Sequence, residues 1–282
     1  MKQKYKWFIG AMIAGVLGMG ATSCVDEIKF GNSFLEKAPG GSATQDTIFN
    51  SVTYTRQFLN TCYSRQYYGL PYVNSSVDDF PDSSNPYTGK FDALTDCWQL
   101  HYSGTTIYNS YYSGTHTANY GVRGDIFGYT REGVWQTVRW CWLLLENVDR
   151  VPGMGEDEKV QMKAEAKCLI AARYFDMFRH YGGLPLIYSS FTGTETNYQF
   201  PRATVEETVN YMDKMLEEAI GSGGLKWSYE GADFNSDGGH WTLAGAMALR
   251  CKLWQFAASP LFNDTQGYAG GRSEAEQQHL VW

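Results

Sequence analysis

The stretch from Tyr87 to Tyr129 gathers seven tyrosines, Trp98, Phe91 and Phe127 beside six glycines and only five charged residues. It is too long and too aromatic for a plain connector. Flat rings of this kind stack on the apolar C–H faces of sugars, while amide, carboxylate and guanidinium groups take the hydroxyls. The candidate ligand-binding residues are Trp98, Tyr102, Tyr108, Asn109, Tyr111 and Tyr112, with Arg123 and Asp125 as polar partners. The same aromatics could instead fold onto one another as a small local core, and both readings stand at this level.

Other chemistry finds little support. There is no G-x-S-x-G elbow and no phosphate-cradling glycine loop. His101, His116, His180, His240 and His279 are scattered, without Cys or Ser partners at a telling spacing. The acid pairs Glu206-Glu207 and Glu217-Glu218 fall on solvated helix faces. No catalytic residue is assigned, and binding without catalysis is the expectation. C-x-x-C and H-E-x-x-H are absent, so no structural or catalytic zinc site is expected. Asp233 to Gly238 matches the first half of a calcium loop, but position 12 would be Ala244 rather than a bidentate Glu. An Asx-rich turn explains it equally well, and neither metal nor cofactor is assigned. Asp78-Asp79 before Pro81 reads as a solvated turn, and Arg123-Gly124-Asp125 matches an adhesion tripeptide only at chance length.

Charge excludes one class of partner. The formal net charge is −7, and removing residues 1–23, with three lysines and no acid, makes it −10. A nucleic-acid partner would require a basic patch. At 43% hydrophobic residues the chain can bury a sizeable core. Cys62, Cys141, Cys168 and Cys251 fall in helical patterns, where they read as small buried apolar residues rather than a disulfide framework.

The elements that must position this chemistry are helices. Asp46 is a plausible N-cap for a first helix through about Tyr68, with Val52, Leu59 and Cys62 inward. A second helix spans Arg131–Arg150 with Val134, Val138, Cys141, Leu145 and Val148 as its seam. The third, Glu156–Tyr181, carries a stripe of Val160, Ala164, Cys168, Ala171, Phe175 and Phe178, stopped by Gly182-Gly183 and Pro185. Thr204 and Glu207 form a capping box opening a fourth, whose seam is Val205, Val209, Met212, Leu216 and Ala219. A fifth runs from Trp241 to Ser259, with Ala244, Met247, Cys251, Trp254 and Ala258 inward and Pro260 at its stop. Short strands could occur within 67–130 or near Leu184–Tyr188.

Two of these segments carry a resemblance. The small-and-aromatic helix ending in Y-G-G-L-P-L-I and the words W-T-L-A-G-A-M-A-L-R-C-K-L-W-Q-F-A-A-S-P-L resemble the strongest motifs of the SusD/RagB family. Trp135 and Asn147 fit its W…N pattern. The resemblance implies a mainly α fold of tetratricopeptide-like stacked helical hairpins, interrupted by the long aromatic insertion at about 69–130. It implies a cell-surface lipoprotein that binds oligosaccharide for import, partnered by a SusC-like TonB-dependent transporter. An extracellular glycoside hydrolase and a peptide-binding uptake lipoprotein of the same fold are the alternatives. Family members continue well past residue 282, so the chain reads as the N-terminal part of such a protein, either a fragment or a natural truncation.

The N-terminus points the same way. Lys2, Lys4 and Lys6 precede an uncharged run, Phe8–Gly20, shorter than the roughly 20 residues a membrane-spanning helix needs. Ala21-Thr22-Ser23-Cys24 then resembles a lipobox, with Ala21 where leucine is usual. The expected organisation is a signal peptide at 1–23, a lipidated Cys24 opening a tether at 24–45, and a helical domain at 46–282. Asp26-Glu27 resembles a surface-export signal, which places the molecule on the outer membrane, held by its lipid.

Overall fold

The computed structural model describes residues 44–64, 132–191, 195, 197–264 and 270–282. The described residues form helices α1 (Gln45–Phe49), α2 (Val52–Ser64) and α3 (Glu132–Asn147), then a 3-10 turn at Val148–Arg150. These are followed by α4 (Glu156–Tyr181), α5 (Val205–Gly221), α6 (Ala232–Asp237), α7 (Leu243–Ala257), α8 (Pro260–Asn263) and α9 (Glu274–Gln277). No strand occurs among them, and 184–188 belongs to neither a helix nor a sheet. No helix among them is long and apolar enough to cross a membrane.

The longest helix, α4, is the axis. Its stripe is buried as the spacing predicts, apart from half-buried Val160, but so are Leu169, Ile170, Tyr174 and Met177 on other sides. Helices α5 and α3 pack along it, α2 lies against α3 and α4, and α7 lies chiefly against α5. Ala164, Ala166, Ala171 and Ala172 keep the axis thin, so neighbouring backbones approach closely. The capping box at Thr204 and Glu207 forms, and all five residues of the α5 seam are buried. In α3 the seam residues Val134, Val138 and Cys141 are buried, as is Val148 in the turn beyond it, while Leu144 goes deeper than Leu145.

Three expectations need correction. The first helix is two pieces, and Asp46 lies inside α1 rather than capping it. Ser51 breaks the run: its Oγ accepts from Tyr54 N, and the buried Thr55 hydroxyl lies against Ser51 O and Ile48 O. The stretch after Ser64 lies outside the described residues. Next, α7 is rotated away from its predicted setting. Ala246, Leu253 and Ala257 face inward, while Met247, Cys251, Trp254 and Ala258 are exposed and Ala244 is half-buried. This helix is apolar around nearly its whole circumference, so periodicity cannot select a face. A polar anchor selects it instead. Arg250 grips both carboxylate oxygens of Asp213 on α5, at 2.7 and 3.0 Å, and Trp254 Nε1 donates to the same group at 2.7 Å. Burial opposes ionisation of Asp213, yet these two donors hold its carboxyl below the ordinary range. Finally, Pro260 does not simply stop α7 but begins α8, where a missing N–H costs nothing. Cys62, Cys141 and Cys168 are buried free thiols, whereas Cys251 is exposed.

Candidate functional site

Cys24, Trp98, Tyr102, Tyr108, Asn109, Tyr111, Tyr112, Arg123 and Asp125 all lie outside the described residues. So does Asp78-Asp79. Within the described residues, Asp233–Asp237 is wound into α6 rather than a calcium loop, and Asp233 pairs with Lys226 at 2.7 Å. No group of three metal-ligating side chains occurs there.

The described residues do assemble an aromatic cleft, and sequence reasoning passed it over. One wall is α3, which presents Trp135, Gln136 and Arg139. The other is the segment after α4, with Pro185, Ile187, Phe191, Tyr198 and Phe200. Together they enclose about 580 Å³. The Phe191 ring lies 5.0 Å from that of Phe200 and 6.3 Å from that of Tyr198. Tyr198 is 51% exposed and Phe200 37%, so these rings face solvent rather than a core. Tyr188, 63% exposed, stands edge-on to Tyr211 nearby.

The cleft is held open from beneath. The backbone at 184–188 has no sheet partner; Ala203 N donates to Leu184 O, and side chains make further bonds. Tyr174 OH donates to Pro185 O and accepts from Ile187 N, Tyr211 OH donates to Ile187 O, and Leu184 N donates to Thr208 Oγ1. Burial drives both tyrosine hydroxyls well above their ordinary pKa, which keeps them protonated as donors. Above them, Phe191 sits at φ 55°, a left-handed conformation costing roughly 1–3 kcal/mol for a non-glycine residue. Arg139 donates to Phe191 O at 3.4 Å, and Glu146 accepts from Ser190 N and Oγ just before it. Strain held by surrounding contacts aims the ring into the cleft. The arrangement suits a sugar: apolar rings for C–H faces, with Arg139 and Gln136 at hand for hydroxyls. The segment F-T-G-T-E-T-N-Y-Q-F carried the same aromatic-plus-polar composition as the 87–129 stretch, and that was the available signal.

A second constellation lies across α4. Glu165 is fully buried, and its Oε2 accepts from Tyr63 OH at 2.8 Å and meets His240 Nδ1 at 2.9 Å. Oε1 accepts from Gln161 at 2.8 Å. The His240 ring stacks on Tyr63 at 4.4 Å, and its Nε2 lies 3.1 Å from Asn60 Oδ1. Both ring partners are acceptors, so the doubly protonated imidazolium satisfies both. The hydrogen bond to Glu165 accordingly raises the His240 pKa, against the opposing effect of burial. Trp241 N donates to Tyr63 OH at 2.7 Å. This cluster joins α2, α4 and the approach to α7. With its carboxylate fully buried between them, the cluster acts as a joint between these elements.

No family profile and no curated protein sequence matches the chain. Solved structures do. One is a SusD-like protein from Bacteroides fragilis NCTC 9343, at TM-score 0.54 and 20% identity, covering 80% of this chain and 38% of that one. Another, BT4246, matches at TM-score 0.55 and 22% identity, covering 77% of this chain and 33% of that one. The likeness is one of fold, and the chain spans only about a third of the length of these proteins.

Proposed function

We propose that this chain, which has the fold of SusD-like proteins, captures oligosaccharide at the cell surface without cleaving it. The aromatic cleft between α3 and the 185–200 segment is the observation that carries the proposal: solvent-facing rings on a rigid helical frame, with polar donors beside them. Trp98, Tyr102, Tyr108, Asn109, Tyr111, Tyr112, Arg123 and Asp125 of the insertion are proposed as further ligand contacts on their composition alone. Captured glycan would pass to a TonB-dependent transporter, and copurification with such a transporter tests that partnership.

Binding to a panel of neutral polysaccharides, with reducing ends assayed in parallel, tests the central claim. Retention without new reducing ends is expected, and release of reducing ends would make the protein a hydrolase. Tyr198→Ala, Phe200→Ala and Trp98→Ala should each lose about 1–2 kcal/mol of binding, roughly 5–30-fold in affinity, with helical content kept. Trp254, the buried comparison that periodicity suggests, is exposed and unsuitable. Phe178, fully buried against Phe262, takes its place, and Phe178→Ala should cost about 3–5 kcal/mol of stability. A cleft variant that melts as early as Phe178→Ala belongs to a core, and its ligand role is then withdrawn.

We further propose lipidation at Cys24, because acyl chains would supply the attachment that Phe8–Gly20 is too short to give as a span. Cys24→Ser should move the protein from the membrane fraction to the soluble one. Retention in the membrane would reject the lipobox.

A further inference from the structure

A second, smaller cleft of about 380 Å³ opens between α4 and α7, on the side of α4 that carries Phe175. Its charge is unlike that of the acidic chain around it. Arg179 Cζ lies 5.3 Å from the centroid of the Phe175 ring and Lys252 Nζ lies 6.0 Å from it, so two cations crowd one aromatic. Asp176 pairs with Arg179 at 2.6 Å. Among the described residues no carboxylate lies within ion-pairing distance of Lys252, which is exposed at the mouth. Arg179 Nε is buried and has no acceptor among the described residues. Asp176 answers only part of this charge, since Arg179 Nε and the Lys252 ammonium keep hydrogen-bonding capacity to offer a ligand. Trp241 and Leu249 supply an apolar wall.

We propose that this cleft binds the carboxylate of an acidic sugar, a hexuronate, with the anion beside Lys252 and Arg179 and the pyranose ring against Trp241. Its volume is at the small end of ligand sites, which suits one or two sugar units. The anion lies at the mouth rather than at the depth of Asp176. There burial already raises the Asp176 carboxyl, despite the pull of Arg179, Arg173 and Lys252. Charge-assisted hydrogen bonds from an ammonium and a guanidinium distinguish a free carboxylate from its ester, which keeps the shape and loses the charge. The choice of a sugar rests on the glycan reading. The anion site rests on its own geometry.

The test is calorimetric titration of the full chain with digalacturonate and with its methyl ester, for wild type and Lys252→Glu. Wild type should bind the acid at least about tenfold more tightly than the ester, and Lys252→Glu should abolish that preference. Lys252 is solvent-exposed, so circular dichroism of the variant should match wild type. Equal affinity for acid and ester, no binding of either, or an acid preference that survives Lys252→Glu each overturns the proposal. Binding of neutral polysaccharide that depends on Tyr198 and Phe200 would leave the glycan reading standing in all three cases.

Discussion

Gly183→Ala is expected to cost about 3 kcal/mol or more in stability, and the reason is backbone rather than side chain. A Cβ at Gly183 would stand 2.0 Å from Ala203 O and 3.0 Å from Thr204 C. Neither atom can rotate aside. Shifting that strand of backbone would also disturb Gly183 N→His279 O at 2.8 Å and Ala203 N→Leu184 O at 3.1 Å, which hold the three segments together. Gly182 is constrained twice, by φ 72° and by His279 O lying 2.4 Å from where its Cβ would be. Gly221 is the control: nothing lies within 4 Å of its Cβ position, and it ends α5. Gly221→Ala should stay within about 1 kcal/mol of wild type in either direction. Urea denaturation measures both, and a Gly183→Ala midpoint close to that of Gly221→Ala would refute the close approach.

The other large effect belongs to Glu165. Glu165→Ala removes the buried carboxylate that Tyr63, Gln161 and His240 share, breaking three contacts at once, and should cost about 3–5 kcal/mol. Tyr63→Phe removes one donor and should cost about 1–3 kcal/mol. A Glu165→Ala variant no less stable than Tyr63→Phe would show that the carboxylate does not join the three elements.

The same joint sets a pH dependence. Because Glu165 raises the His240 pKa on folding, the stabilisation is complete below the ordinary histidine value. It fades as pH climbs through the higher folded value. The stability gap between wild type and His240→Asn should therefore be larger at about pH 6 than at about pH 9. A gap that does not shrink would mean His240 carries no charge in the folded protein.

Much of this was legible from residue order. The limits of α4, the capping box of α5 and the seams of α3 and α5 follow from local chemistry: a helix with polar and apolar faces has one way to turn inward. The sugar-binding reading of the 87–129 stretch stays an expectation, because that stretch lies outside the described residues. Gly182-Gly183 was correctly read as a helix stop, yet its stronger constraint was invisible. Ala203 and His279 press on it from segments far along the chain.

What the tertiary structure alone decided is a matter of distant partners. The α7 sequence is apolar all round, so its inward face had to be chosen by Asp213 on another helix gripping Arg250 and Trp254. The aromatic cleft unites Trp135 of α3 with Phe191, Tyr198 and Phe200 of a loop, and no spacing along the chain encodes that meeting. Glu165 is a buried joint because Tyr63 and His240 reach it from segments far apart in the sequence. Periodicity reports what a segment does with its own neighbours along the helix. Which of several apolar faces is buried, and which side chains meet, is settled by packing between segments that the sequence does not place side by side.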